Sequence, residues 1–375
     1  EVQDSAIVYY EKSLVEIERL YENADDYNQS IGISALARGY GPYESLIGLY
    51  FENNQHEKAF HLSENVKSGS YLDFRDETSK NLLALSDNPI AMFSNQISTT
   101  DNEINIQYLD YDLKPDSYLK VKEVDVINEI LSEDNANLVE YFIGEKLYIW
   151  FLNGKEFHNY TVDVSIDSLT ILINEINSSI LVREPFKDSA RLLYQLLIAP
   201  FENEMVGNNL YIVPSNKISY IPMSCLIDTN DIYMSEKHNI SFLQSASMLK
   251  NSDNRNKSIK KRLLALGSPN FDPKHNLSDL IYAEEEINKI SKYFSSKTKL
   301  IGFDANEDFY KNNAADYSHI HFATHSVIDN YVSTNSRLYL TPTSENDGIL
   351  YLDEVREIPI NANLVVLSGC DTGWG

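Results

Sequence analysis

Residues 319–325 read HIHFATH, and the fold turns on how that stretch is taken. It is short, its apolar residues Ile320, Phe322 and Ala323 are interleaved with histidines, and it ends in Thr324-His325, so it reads as a β-strand. Working outward, similar runs lie at 262–268 (RLLALGS), 298–303 (TKLIGF) and 363–370 (NLVVLSGC), with helical stretches at 283–294, 307–313 and 351–358 between them. Short apolar strands alternating with helices predict an α/β fold with a mostly parallel sheet flanked by helices.

In such a sheet, reactive groups gather at the carboxyl ends of the strands. His325 ends one strand and Cys370 ends another, so both are expected at one rim, on strands that are plausible neighbours. A thiol beside an imidazole and near turn N–H groups loses its proton more readily and attacks carbonyls as thiolate, while the histidine protonates the leaving amine. Gly369 and Gly373 would let the backbone turn around Cys370 and aim its N–H at a developing oxyanion. From spacing alone the blander alternative, a buried thiol and a satisfied loop histidine, outweighs catalysis.

The remaining stretches narrow the classes. Residues 5–22 place Ile7, Tyr10, Leu14, Ile17 and Tyr21 on one helical face. Two further helices are predicted on either side of Asn53-Asn54-Gln55, and Tyr43, Leu46, Tyr50 and Ala59 carry the spacing of the large and small positions of a tetratricopeptide repeat. Poor periodicity with Pro89 and Pro115 makes 76–118 a connector. A helix at 124–135 precedes a hairpin at 138–153 turning at Gly144-Glu145-Lys146, then helices at 167–180 and 188–204 and strands at 209–213, 217–221 and 240–244. The expected organisation is therefore helical repeats over 1–75, the end of an array with more repeats upstream, a connector over 76–119, and an α/β domain over 120–375.

The formal charge is −25, from 56 acidic against 31 basic residues spread along the chain. That field repels phosphate backbones and anionic headgroups, so neither direct nucleic-acid binding nor membrane binding is expected. The basic run at 257–262 (KSIKKR) reads as a solvated loop. No stretch reaches the roughly 18 apolar residues of a membrane span. Two cysteines, Cys225 and Cys370, point to a reducing cytoplasm, and Cys225, in YIPMSCLI, reads as a core residue. A start at Glu1-Val2 reads as an excised or processed piece. No cofactor or metal is expected: His319, His321 and His325 share strand parity, but the sequence brings no carboxylate or cysteine beside them, and Gly302 alone is no phosphate loop.

The segments HIHFATHSVID, SRLYLTP, DGILYLDEV and NANLVVLSGCDTGWG, in that order, resemble the CHAT family, caspase-like domains linked to tetratricopeptide repeats. The hairpin, NLYIVPSNKISYIPMSCLI, FLQSASML, ALGSPNF, LIYAEEEINKI and LIGFDANEDF extend the resemblance over nearly all of 120–375, and AFHLSENVKSGSYLDF is similar to the family's last repeat. The resemblance implies a caspase-like cysteine endopeptidase acting on protein substrates, with His325 as general base and acid and Cys370 as nucleophile. The N–H groups of Cys370 and Ser326 would form the oxyanion hole, with Gly369 beside it. Ser326 stands where the family usually has glycine, Gly369 replaces an alanine, and Asp371 replaces a glutamate and would line the substrate pocket, which Arg337 would also approach. The family's domain runs on past this motif, so its further strands and helices would lie beyond Gly375. An activating protein or ribonucleoprotein partner would dock on the repeats. Some relatives answer to RNA-guided, CRISPR-type effector complexes in bacterial defence, although no residue here points to one. The rival reading is a catalytically inactive caspase-like scaffold acting as a protein-interaction module; retention of His325 and Cys370 argues against it, Ser326 for it.

Overall fold

The computed structural model describes residues 2–22, 41–68, 121–249, 261–329 and 335–369. The expected connector over 76–119 lies outside them. The chain divides into two units, Glu1–Arg255 and Asn256–Gly375.

The first unit begins with helices α1 (Val2–Glu22), α2 (Gly41–Glu52) and α3 (His56–Ser68). Asn54, at φ 55°, turns the chain between the last two, as Asn readily does. Tyr43, Leu46, Tyr50 and Ala59, the residues picked out by their spacing, are all buried. Helix α4 (Val124–Asp134) leads into β1 (Ala136–Ile143), β2 (Leu147–Leu152) and β3 (Phe157–Val162). Then come α5 (Ile166–Val182), α6 (Lys187–Leu197), β4 (Asn209–Val213), the short α7 (Met234–Lys237) and β5 (Asn239–Phe242).

These five strands form one mixed sheet in the order β3-β2-β1-β4-β5. The short turns after β1 and β2 force antiparallel pairs, whereas the long passage through α5 and α6 returns β4 parallel to β1. Alternation along β1 and β2 then divides two cores. Leu138, Phe142, Tyr148, Trp150 and Leu152 pack with α1 to α4, while Val139, Tyr141, Ile143, Leu147, Ile149 and Phe151 pack with α5 and α6.

Two differences from expectation have local causes. The predicted strand at 217–221 is a 3-10 turn, Asn216–Tyr220, because Ile218 and Ile221 both enter the core at a spacing of three and Pro222 cannot donate to a ladder. Strand β3 was missed because FHNYTV is a half-exposed edge with little apolar alternation.

The second unit holds β6 (Arg262–Pro269), α8 (Ala283–Ile290), β7 (Ser296–Gly302), α9 (Glu307–Asn313) and β8 (His319–Ala323). There follow β9 (Ser326–Val327), β10 (Arg337–Tyr339), β11 (Ile349–Tyr351), α10 (Leu352–Glu357) and β12 (Leu364–Ser368). Its main sheet is wholly parallel, ordered β12-β8-β6-β7, and β9 to β11 form a small antiparallel sheet. Thus one mixed and one parallel sheet stand where the sequence predicts a single mostly parallel one.

Here too parity divides the core. Leu263, Ala265 and Ala323 face α8, and Leu264, Leu266, Ile320 and Phe322 face the layer of α9 and α10. Gly267 is small for a reason: a Cβ there would lie 2.5 Å from Cγ1 of Ile287, so glycine lets α8 settle on β6. Gly348, at φ 80°, closes the turn before β11, where a Cβ would lie 2.7 Å from the carbonyl oxygen of Leu340.

Candidate active site

Strand order decides where the site lies. β7 flanks β6 on one side and β8 on the other, so the chain leaves β6 toward α8 and leaves β8 toward the opposite layer. This is a topological switch point, and open α/β sheets bind their ligands at such points, here the carboxyl ends of β6 and β8. His325 lies there.

The end of β6 shapes one wall. The register shifts between Gly267 and Pro269, and Ser268 between them adopts φ 47°, a left-handed conformation uncommon for serine. The chain then folds over the end of β8. Phe271 places its ring centroid 5.1 Å from that of His325, and the carbonyl oxygen of Ser278 lies 2.8 Å from His325 Nε2. A carbonyl can only accept, so Nε2 carries the hydrogen and, in the neutral ring, Nδ1 is left as the basic nitrogen.

The main chain around the histidine is held as well. The Thr324 N–H donates to the Ser368 carbonyl at 3.3 Å, its hydroxyl donates to the Tyr339 carbonyl, and the Tyr339 N–H donates to the His325 carbonyl at 3.0 Å. Ser326 is buried in β9, opposite Leu338. Its backbone is extended, a conformation open to any residue, so serine is compatible with a position where the family usually has glycine.

β12 lies beside β8 in parallel, with Ser368 opposite Ala323. His325 follows Ala323 by two residues, and in the sequence Cys370 follows Ser368 by two. Gly369 directly follows β12. Cys370, Asp371 and Gly373 lie outside the described residues.

Arg337, on β10, is half-buried. Its Nε donates to the Tyr339 hydroxyl at 2.9 Å, its NH1 to the Asn335 carbonyl at 2.8 Å, and its guanidinium lies over the Tyr339 ring. Cys225 is half-buried in a 3-10 turn rather than a core residue, because the flanking Met223 and Leu226 take the inward positions.

The histidines of β8 have different partners. His321 is buried and pairs with Glu286 of α8 at 2.7 Å, so a carboxylate does stand beside the histidine strand, contrary to expectation. His319 meets the ring of Phe294 and the Ser318 hydroxyl instead. Among the described residues no group of three histidine, cysteine or acidic side chains could hold a metal.

Residues 187–375 match the CHAT domain. The chain belongs to the CHAT family. No curated protein matches it. The CHAT domain is a caspase-like, peptidase-related domain, and the α/β architecture, with its parallel sheet and flanking helices, agrees with that class. No described helix is long and apolar enough to cross a membrane.

Sequence reasoning about this CHAT domain missed Ser278, Phe271 and Glu286. Ser278 acts through its backbone carbonyl, which leaves no trace in residue type. Phe271 lies in the quoted ALGSPNF segment and could have been found there. Glu286 is one of three consecutive glutamates, and only helical phase on β8 distinguishes it.

Proposed function

We propose that this CHAT protein is a cysteine endopeptidase in which His325 serves Cys370. The observation that carries the reading is the β8–β12 register, because opposing Ala323 and Ser368 are each followed two residues later by one member of the pair. The Ser278 carbonyl supports it by leaving Nδ1 of the neutral His325 ring as its base.

In this reading Nδ1 takes the thiol proton and the thiolate attacks the substrate carbonyl carbon, making the carbon–sulfur bond and an oxyanion. Backbone N–H groups, with Cys370 and Ser326 as the candidates beside Gly369, stabilise that charge. Collapse breaks the carbon–nitrogen bond, and the imidazolium returns the proton to the leaving amine. Water, deprotonated by the same nitrogen, then attacks the thioester, releasing the carboxylate and restoring the thiol. Helices of the first unit would receive an activating partner, since stacked helical hairpins expose extended binding surfaces.

Labelling with a thiol-reactive peptide electrophile tests the reading, with half-buried Cys225 as the internal control. Preferential modification of Cys370, lost in His325→Asn, is the expected result. Cleavage by purified Cys370→Ala, or equal labelling of both cysteines, would favour the inactive scaffold.

A further inference from the structure

We propose that Glu286 and His321 are positioning residues that hold the Ser278 carbonyl on His325; the inference rests on the peptidase reading above. His321 lies in β8 and His325 two residues past its end, and both are held through Nε2 by one continuous segment of chain. Ser278 takes His325 at 2.8 Å, and Glu286 takes His321 at 2.7 Å.

Between and just after these two polar ties the segment rests on an apolar patch. Ala283 and Ile287, with Leu280, pack on Leu263, Ala265 and Ala323, and Gly267 lets Ile287 come close. Dispersion contacts set how near α8 lies to the sheet, but they are non-directional and resist sliding along the strand only weakly. A charge-assisted hydrogen bond to a histidine fixed on β8 sets that remaining coordinate. His321 is 8% exposed, so water is a poor substitute for the carboxylate.

The consequence reaches His325 through geometry. If α8 slides, the Ser278 carbonyl leaves the Nε2–H, the ring is free to exchange tautomers, and Nδ1 is no longer reliably the base. Misplacement of a reacting group by about 1 Å can cost on the order of a hundredfold in rate.

The test uses the full chain carrying isotope-labelled histidine, with nuclear magnetic resonance reporting the His325 tautomer and the peptide electrophile reporting Cys370 reactivity. Wild type is expected to show the Nε2–H form. Glu286→Ala should mix the tautomers and slow Cys370 labelling roughly ten- to hundredfold, with Cys225 unchanged. Glu286→Gln, whose amide oxygen still accepts from His321, should restore both. If Glu286→Ala lowers thermal stability but leaves the His325 tautomer as in wild type, the pair is merely structural and the proposal falls. Should that variant not fold, the same two readouts on His321→Ala decide. Unreactive Cys370 in wild type would sink the peptidase reading instead, and the tautomer readout would still judge the positioning role.

Discussion

Glu140, on central β1 of the first unit, is fully buried and surrounded: Ser63 donates to it at 2.6 Å and Lys67 lies 3.1 Å away. Neighbouring Glu64, equally buried, accepts from the Ser245 and Ser247 hydroxyls and from the N–H groups of Ala246 and Ser247. In the second unit His325 lies just past the end of β8, half-exposed, and Glu286 on α8 is open to solvent on one side. A buried hydrogen-bonded network has few good arrangements, so it ties α3, β1 and the segment after β5 into one packing. A strand-end cluster keeps a basic nitrogen accessible. Buried carboxyl groups specify structure in one unit, and half-buried polar groups stay accessible in the other.

The strongest way to break this contrast is Glu64→Ala. It leaves buried hydroxyls and N–H groups without an acceptor and should cost roughly 3–5 kcal/mol, read as a large fall in the urea midpoint. An unchanged midpoint would mean that the network is not structural.

Glu140→Gln sharpens the contrast through pH. Burial, the leading cause, pushes the Glu140 carboxyl well above its ordinary range; Lys67 opposes this, and Glu64 adds to it. Burial also pushes Glu64 up, but hydrogen bonds from Glu140, Ser247 and Ser245, together with Lys67, outweigh it and leave Glu64 below its ordinary value. Glu140 is therefore the protonated member. Its contribution is fully present below the ordinary carboxylate pKa and is lost as pH rises toward its raised value, by at most about 1.4 kcal/mol per pH unit. Glu64 behaves oppositely, its contribution being present above the ordinary range and lost in acid. Glutamine mimics protonated Glu140, so the variant should gain on wild type as pH rises above the ordinary carboxylate range. Parallel stability curves would refute the assignment.

The smallest expected effect concerns the rim. On the proposed peptidase reading, Asp371, next after Cys370 in sequence, would suit a basic or polar residue before the scissile bond, and Arg337 is already engaged by Tyr339 and Asn335. A peptide-library profile should show cleavage after Lys, Arg or a polar amide, weakened about tenfold, or ~1.4 kcal/mol, in Asp371→Asn. Dominant cleavage after Asp would reverse the roles of Asp371 and Arg337.

Much of this architecture was legible in local pattern. The hairpin at 138–153, helix 124–134 and the strand–helix alternation from 262 onward follow from periodicity, because burial on one face or two dictates which positions are apolar. His325 was legible close to the end of its strand, which in the structure stops at Ala323, two residues earlier. Its carbonyl partner was not, since any residue type could supply that oxygen.

Strand order shows most clearly what pattern cannot carry. RLLALGS and NLVVLSG are nearly interchangeable as sequences, yet they take different partners in the sheet. The first run became β6, parallel to both β7 and β8, and the second became β12, parallel to β8. Local composition makes a strand, but its neighbours are chosen by where the intervening helices pack. The same packing placed His325 at a switch point under Phe271 and Ser278, because crossover geometry is a property of the whole unit and no seven-residue window contains it.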